Sequence, residues 1–480
     1  MVTTAENPES LQTSSRSRLV ALVVAVSFFM QLLDSTIVVT SLPQMAASFG
    51  IKPIAMSIGL TVYMLTMAAF IPISGWLGDR YGARNVFLVS IAMFTVASLF
   101  CGLSGTLTQF IVARAFQGLG SALMNPIGRV IVLRNAPKSE LVNAVALITW
   151  PALIAPVIGP VLGSFITTYF SWHWNFLINI PIGLVGLVLV WQFVPDQKAE
   201  NAGRLDVPGF ILSAAGMTLV LAALEAFTQG TVATPWIILL LAGGVVFSIL
   251  AVRHFRKASS PLLDLSSFRI QTFAMSTLSA GTAGRLAFNA TPFLIPLLFQ
   301  VGFGLPAIET GVYMLVYFAG NLAMKTITTP TLRRFGFRTV LVVNGVIASG
   351  SIVACAAISP GTSVLFIYAL LFVAGMSRSM QFTALNTIGF ADITPAQQSS
   401  ASTLSSMLQQ LAMLLGIAVA AAALNVSQLA RHGSSLALVD FRWAFIAIGV
   451  IGILSSLRFL KLPDDAGAEV SGHRRPRSDI

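Results

Sequence analysis

Charge is what this chain has least of. Only 9% of its 480 residues are Asp, Glu, Lys or Arg, against 56% hydrophobic, and a mean hydropathy of +0.84 is beyond what a soluble globular protein of this size sustains. A water-soluble enzyme or binding domain is excluded, and a polytopic membrane protein remains. Acids are scarcest, 17 against 28 Lys and Arg. The formal charge of +11 could suggest nucleic acid, but the basic residues collect in short loops on one side, where the positive-inside rule accounts for them without a partner. The two cysteines, Cys101 and Cys355, lie far apart inside apolar runs; that excludes a disulfide pair and reads as two buried small hydrophobes. No His/Cys/acid cluster has metal-ligand or catalytic spacing and no glycine-rich run carries a phosphate-loop lysine, so no metal, cofactor, ATP hydrolysis or enzymatic chemistry is expected. No cleavable signal peptide is apparent, and none is expected. A polar segment ending in Arg16 and Arg18 leads into an apolar run too long for a signal, so the first helix is expected to stay as an anchor with the N-terminus cytoplasmic.

What the chain does have is continuous apolar runs, not alternating ones, which excludes a β-barrel. A hydrocarbon core of about 30 Å takes roughly 20 residues of helix. Breaks at charged and Gly/Pro-rich stretches place six spans near 19–41, 55–75, 85–104, 108–130, 141–168 and 174–194. Two follow near 208–227 and 235–252, then six more near 272–300, 309–329, 339–358, 363–387, 399–424 and 441–460. The expected organisation is a cytoplasmic segment 1–18, a six-helix half 19–194, a linker 195–270 with two additional spans, a second six-helix half 271–461 and a cytoplasmic tail 462–480.

Loop charge tests that count, because successive loops must alternate sides. The loops predicted cytoplasmic carry Arg80 and Arg84; Arg134 and Lys138; Lys198 and Arg204; Arg253, Arg256, Lys257 and Arg269; Arg333, Arg334 and Arg338. Opposite loops hold only Lys52, His173, Arg431 and Arg442 near their ends, and the tail with Arg474, Arg475 and Arg477 agrees with cytoplasmic termini. The loop at Asp392 is the exception, being predicted cytoplasmic without a basic residue. A shift of 254 residues lays Arg80 on Arg334, Gly82 on Gly336, Arg84 on Arg338 and Val86 on Val340, an internal repeat of the kind secondary transporters use. Asp79 falls on Arg333, so the second copy lacks the carboxylate.

Four stretches carry polar chemistry. From Gly75 to Arg84 the chain sets glycines, Asp79, Arg80 and Arg84 between two spans. Gly75 and Gly82 permit a tight reversal, and Asp79 is placed to face a helix N-terminus and pair with a neighbouring arginine. A plain hairpin with solvated charges fits the residues as well. In the fourth span Arg114 and Gln117 precede Gly118 and Gly120; an arginine at that depth costs about 2.5–3.5 kcal/mol on insertion scales and is expected to face the bundle interior. The fifth span holds Trp150, Pro151, Ala155, Pro156, Gly159, Pro160, Gly163 and Ser164, which bend a helix and let a neighbour approach. In the first span Asp34, Thr36, Ser41 and Pro43 interrupt the apolar run, with the apolar Val39 among them.

These stretches resemble the major facilitator superfamily. The first is similar to its loop pattern G-x-L-a-D-r-x-G-r-k, which implies that Asp79 and Arg80, with Gly75, Gly82 and Arg84, serve as a cytoplasmic gate. Arg114 and Gln117 match its R-x-x-q-G-x-g pattern, implying a part in proton movement. Gly159, Pro160 and Gly163 resemble the antiporter motif g-x-x-x-G-P-x-x-G-G, with Ala155 and Ser164 as departures. The Asp34 stretch and the run Ser171 to Pro181, with Trp172, His173, Trp174, Phe176 and Asn179, are similar to the fourteen-helix drug:proton antiporters, particularly the MdtD-type branch of multidrug exporters. The loop aromatics are then expected to seat a helix at the membrane interface, with His173 a structural residue beside them.

Among the acids only Asp34 and Glu225 lie well within spans, so Asp34 is the principal candidate proton carrier; permanent pairing to a hydroxyl or arginine is the alternative. Five basic residues lie within spans: Arg114, Arg129, Arg285, Lys325 and Arg378. Arg129 and Lys325 are expected to snorkel from cytoplasmic ends. Arg285 and Arg378 have no embedded acid to neutralise them and suit an organic anion or a metal-carboxylate chelate such as a citrate complex. Gln117, Asn289, Gln300, Asn321, Gln381 and Asn386 are further candidates for a cavity, although interhelical hydrogen bonds would account for them equally.

The expected protein is therefore an all-α multi-pass transporter with six-plus-six core helices in two pseudo-symmetric halves and two linker helices. The resemblance implies a monomeric, proton-coupled exporter of the bacterial inner membrane working by alternating access and energised by the proton gradient. Its partners would be small molecules, protons and lipid, with no nucleic acid. Organic anions are the expected substrates; hydrophobic or cationic drugs, or a transport-inactive sensor on the same fold, are the alternatives.

Overall fold

A computed structural model describes residues 8–473 except 52–55, 57, 138, 139, 150, 197–202, 230, 231, 306, 434 and 435. Lys52, Lys138, Trp150, Lys198 and the tail arginines Arg474, Arg475 and Arg477 lie outside the described residues, as do the side chains of Val39, Pro43, Pro151, Pro156, Pro160 and Ser164. Among the described residues all regular structure is helical, and each apolar run coincides with a helix or a pair of helices.

The order is α1 Pro8–Phe49, α2 Ile58–Phe70, α3 Ser74–Tyr81, α4 Ala83–Gly102, α5 Leu107–Asn135, α6 Leu141–Thr149, α7 Pro151–Tyr169, α8 Trp174–Leu177 and α9 Asn179–Phe193. There follow α10 Val207–Gln229, α11 Thr234–Lys257, α12 Gln271–Thr277, α13 Ala280–Leu297, α14 Ala307–Cys355, α15 Val364–Ile388, α16 Gln398–Ala430, α17 Leu438–Arg458 and α18 Ala468–Ser471. Among the described residues, ten helical stretches are long and apolar enough to cross a membrane. One of these, Glu309–Cys355, contains two helices broken at Gly336.

Backbone chemistry sets the breaks. Gly82, between α3 and α4, has φ 88°, and Gly336 has φ 73°. A side chain at either would meet its own carbonyl, so the two positions that the sequence repeat superimposes share a left-handed turn as well as a residue type. In α13, Pro292 and Pro296 remove two backbone donors, and the ladder is taken up by a π-turn over Leu298–Gly302.

The chain forms two compact units. The first comprises residues 1–218, 244–265 and 394–406, so it includes the start of α16. In it α1 packs on α5, α6, α7 and α9, while α5 packs on α2 and α4. Phe49, Phe110, Trp172 and Phe176 form an edge-to-face aromatic cluster around the buried Cys101. This corrects the interfacial reading of the loop aromatics: Trp172 and Phe176 are core, and of the two tryptophans only Trp174 is exposed. His173 stacks on Trp172 and hydrogen-bonds Ser171 through Nδ1, and partial burial lowers its pKa. Before α10, Asp206 accepts from the Gly209 amide at 2.9 Å and the Leu262 amide at 3.1 Å, and pairs with His254 Nε2 at 2.7 Å. Burial alone would raise its pKa, but those amides and the imidazole hold it below the usual carboxylate value.

The second unit comprises residues 219–243, 266–393 and 407–480. Here α14 packs on α15 and α17, and α13 on α17. Residues 462–473 fold back over the turn at Gly336. Asp464 pairs with Arg338, Arg338 donates to the Leu460 carbonyl at 2.9 Å, and His473 Nδ1 meets the Arg333 carbonyl at 3.0 Å. Gly467 lies against the buried Phe337 ring, with Val470 buried beside it in the same segment. The carboxylate missing from the second loop is thus supplied from the C-terminal segment.

Candidate functional site

Asp34 sits in the interior of α1 at 0% exposure, and so does Arg114 of α5. Arg114 donates from Nη1 to Asp34 Oδ2 at 2.7 Å and from Nε to the Gly59 carbonyl at 3.2 Å, and the same Nη1 also reaches Gln117 Oε1. Asp34 Oδ1 accepts from Gln117 Nε2 at 2.8 Å and from Asn179 Nδ2 at 2.9 Å. Ser98 Oγ accepts from both amides, tying α4 into the cluster. The guanidinium lies 4.4 Å from the Tyr63 ring centroid, and the Tyr63 hydroxyl is 2.7 Å from Ser121 Oγ. Five helices therefore converge on one carboxylate. Gln117 follows Arg114 by one turn of α5, so both present the same face to α1. The sequence named Asp34, Arg114 and Gln117 as site residues but missed Ser98, Tyr63 and Asn179 in that role; only the motif around Asn179 pointed its way.

The fifth-span motif packs on the same helix. Gly159 of α7 is seated where an added Cβ would strike the Thr36 side chain, and Thr36 Oγ1 donates to the Ala155 carbonyl at 3.2 Å. Ala155 is fully buried, so a small residue suffices where the family pattern has glycine. Further along, Ser41, Thr167 and Asn175 form a hydrogen-bonded triangle, with Thr167 Oγ1 also donating to the Gly163 carbonyl at 2.7 Å. The motif thus sets the approach of α7 to the turn of α1 that follows Asp34.

Asp79 lies inside α3, not at the N-terminus of the next helix, and its arginine comes from a distance. Arg134, at the end of α5, donates from Nη2 to Asp79 Oδ1 at 2.9 Å, and Ser399 of α16 donates to the same oxygen at 2.6 Å. Arg134 also reaches Ser399 Oγ at 3.1 Å. Gly75 lies against Ser399 and Thr403, and Thr403 Oγ1 is 3.1 Å from Ser74 Oγ. Arg80 is exposed and Arg84 half-buried. Sequence had assigned Arg134 only to the positive loop charge.

Two basic residues expected to snorkel are each bonded to a hydroxyl of a neighbouring helix. Helix α5 continues to Asn135, and Arg129 donates to Ser405 Oγ at 2.8 Å. Helix α14 runs unbroken to the turn at Gly336, so Lys325 lies well inside it and donates to Thr383 Oγ1 of α15 at 2.6 Å. In both cases the helix continues past its apolar run.

In the second unit Arg285 is buried, bonded to the Ser276 carbonyl and, through Nη2, to Asn386 Oδ1 at 3.0 Å; Gln409 donates to that oxygen at 3.3 Å. Gln381 bridges α15 and α14, donating to the Leu341 carbonyl at 3.0 Å and accepting from Asn344 at 3.0 Å. Asn289 is half-buried on α13 near Gly416, and Gln300 is exposed. Arg378 is half-buried near the middle of α15. The structure therefore joins Arg285 with Asn386, and places Gln381 in a separate interhelical contact.

Long apolar helices packed around buried polar clusters define a multi-pass integral membrane transporter. The family profile described as Major Facilitator Superfamily matches residues 24–417, and the chain belongs to that family. It is a transporter family, not one of enzymes. The chain is 37% identical over 460 residues to the "Putative multidrug resistance protein MdtD" of Salmonella heidelberg (strain SL476), covering 95% of this chain and 97% of the relative. The protein of the same name from Escherichia coli O157:H7 (strain EC4115 / EHEC) is 37% identical over 463 residues, with the same coverage. Among solved structures, the human organic anion transporter MFSD10 (TETRAN) superimposes with a TM-score of 0.63 at 14% identity, covering 95% of this chain and 100% of its own. The proton:xylose symporter XylE gives a TM-score of 0.63 at 14% identity, with 96% and 99% covered. At that identity the likeness is one of fold.

Proposed function

We propose that this transporter is a proton-coupled antiporter that exports small organic molecules across the bacterial inner membrane by alternating access. In this reading fourteen helices span the membrane, both termini are cytoplasmic, and one copy of the chain suffices. The observation that carries it is Asp34, fully buried and held by Arg114, Gln117 and Asn179. A carboxylate in that position is either charged and paired or protonated and released from its arginine, so proton uptake changes what α1 and α5 can do to one another. Gly159 and Ala155 place α7 where such a change would be felt. Asp79, Arg134 and Ser399 supply a latch that can open without breaking the core.

For the substrate, the basic residues of the second unit support organic anions or metal-carboxylate chelates. The name shared by the relatives supports hydrophobic or cationic drugs instead. The test is proton movement in proteoliposomes challenged with citrate, iron citrate and cationic dyes, with Asp34→Asn alongside. Citrate-dependent flux lost in Asp34→Asn is the expected result. Flux with dyes alone would establish the drug reading, and no substrate-dependent flux would sink the antiporter.

A further inference from the structure

Two side-chain amides donate to Asp34, and they are not held alike. Gln117 is fixed at both ends: Nε2 donates to Asp34 Oδ1, while Oε1 accepts from Arg114 Nη1 and from the Cys101 thiol at 3.8 Å. Asn179, the first residue of α9, is fixed at one end only. Its Nδ2 donates to Asp34 Oδ1 at 2.9 Å and to Ser98 Oγ at 3.3 Å, whereas its Oδ1 is buried and has no hydrogen-bond partner among the described residues. An orphaned buried oxygen is destabilising by itself. The amide keeps this orientation because its other end has two acceptors.

Ser98 is the acceptor that does not depend on the charge of Asp34. A hydroxyl has one proton and two lone pairs. The Ser98 proton goes to the Phe94 carbonyl, one turn back along α4, at 2.8 Å. Both lone pairs are thereby left to the amides, Gln117 Nε2 at 2.8 Å and Asn179 Nδ2 at 3.3 Å. With its proton engaged, Ser98 accepts and does not donate, so it matches the nitrogen of an amide and opposes the oxygen. A reversed Asn179 would set Oδ1 against the Ser98 lone pair and the Asp34 carboxylate together, three acceptors without a proton between them. Ser98, Asp34, Gln117 and Asn179 are all 0% exposed, so water does not reach the carboxylate to take the place of a lost donor.

We propose that Ser98 is a positioning residue of the proton site: its hydroxyl holds the N–H ends of Asn179 and Gln117 on the charged form of Asp34. Asn179 is the more dependent of the two, since nothing fixes its oxygen end. The consequence for transport rests on the antiporter reading above, but the positioning does not.

The test is infrared difference spectroscopy of the purified full-length protein in detergent at neutral pH, where the carboxylate stretching band of Asp34 is the one lost in Asp34→Asn. That band moves when a donor leaves the carboxylate. Ser98→Ala and Ser98→Cys, the second close to serine in size but a weak acceptor, are expected to displace it, and Ser98→Thr, which keeps the hydroxyl, to leave it in place. Asn179→Leu should displace the band as well, and adding Ser98→Ala to it should move it little further, because the amide through which Ser98 chiefly acts is gone. In proteoliposomes Ser98→Ala should reduce citrate-driven proton flux about tenfold, as for a weakened hydrogen bond to a charge, with Ser98→Thr close to the parent. A purely structural serine would lower the thermal midpoint in Ser98→Ala and Ser98→Cys and leave the band unmoved, which would overturn the proposal. The absence of any carboxylate band from Asp34 in the parent would also overturn it, since the amides would then face an uncharged acid. A displaced band with no substrate-driven flux even in the parent keeps the positioning role and sinks the antiporter; flux in the parent with an unmoved band in both variants does the reverse.

Discussion

Asn179 donates a 2.9 Å hydrogen bond to Asp34 across 145 residues of sequence, to the same carboxylate oxygen that Gln117 uses. With Arg114 on the other oxygen, the carboxylate has three donors and no contact with water. Asp34→Asn keeps the shape and removes the charge, leaving Arg114 buried and unpaired. The expected loss is about 3–5 kcal/mol of stability, together with all proton flux. Adding Arg114→Met should recover most of the stability and none of the flux, measured by thermal unfolding in detergent and by a pH-sensitive dye in proteoliposomes. Recovery of flux in the double variant would remove Asp34 from proton coupling.

Asp79 and Arg134 are partly exposed, so their pair contributes about 0–1 kcal/mol to stability. Its effect belongs in transport. Asp79→Arg and Arg134→Asp are each expected to reduce substrate-driven flux at least several-fold, with thermal midpoints little changed. Exchanging both restores the pair and should restore a substantial part of the flux. No rescue in the exchanged protein would mean that the two act separately.

Gly159 has no room for a larger residue beside Thr36. Gly159→Val is expected to cost about 1–3 kcal/mol through overpacking. Gly159→Ala combined with Thr36→Ala should be close to the parent in thermal midpoint, whereas Gly159→Ala alone falls below it. Equal midpoints for the two proteins would show that α7 moves aside freely.

Asp206 caps α10 and its pKa is lowered in the folded protein, so its contribution is fully present above the carboxylate's unfolded pKa and fades as pH falls through the lower folded value. Asp206→Ala is expected to cost about 0.5–2 kcal/mol near neutrality, and the gap from the parent should close on acidification. Thermal midpoints from pH 7 down to about pH 3 measure this. A gap that widened toward low pH would reverse the sign and the explanation.

Helices were legible because a membrane imposes a length and a solvent on each segment, and both are written in runs of apolar residues. Asp34, Arg114 and Gln117 stood out for the same reason, as polar groups where polarity is costly. That an arginine could pair with Asp34 was one of two readings, but the rest of its partners were not legible. Hydropathy reports the surroundings of a helix and says nothing about which faces meet, so Asn179, Ser98 and Tyr63 joined the cluster only once the helices were packed. Arg134 was hidden by an explanation that sufficed, since a loop arginine satisfies the positive-inside rule whatever else it touches. The hydroxyl partners of Lys325 and Arg129 were not legible for the same reason, since hydropathy does not report which helix face lies opposite.

The contacts of residues 462–473 with the turn at Gly336 join stretches made at different moments. Arg338 and the Leu460 carbonyl are separated by 122 residues, so a ribosome must finish α15, α16 and α17 before the clamp on that turn can form. Until then the loop is an unfastened hairpin, open to proteases and to mispairing. A chain halted at Leu462 would leave Phe337 without Gly467 against its ring, a difference that cellular quality control could read as unfinished assembly.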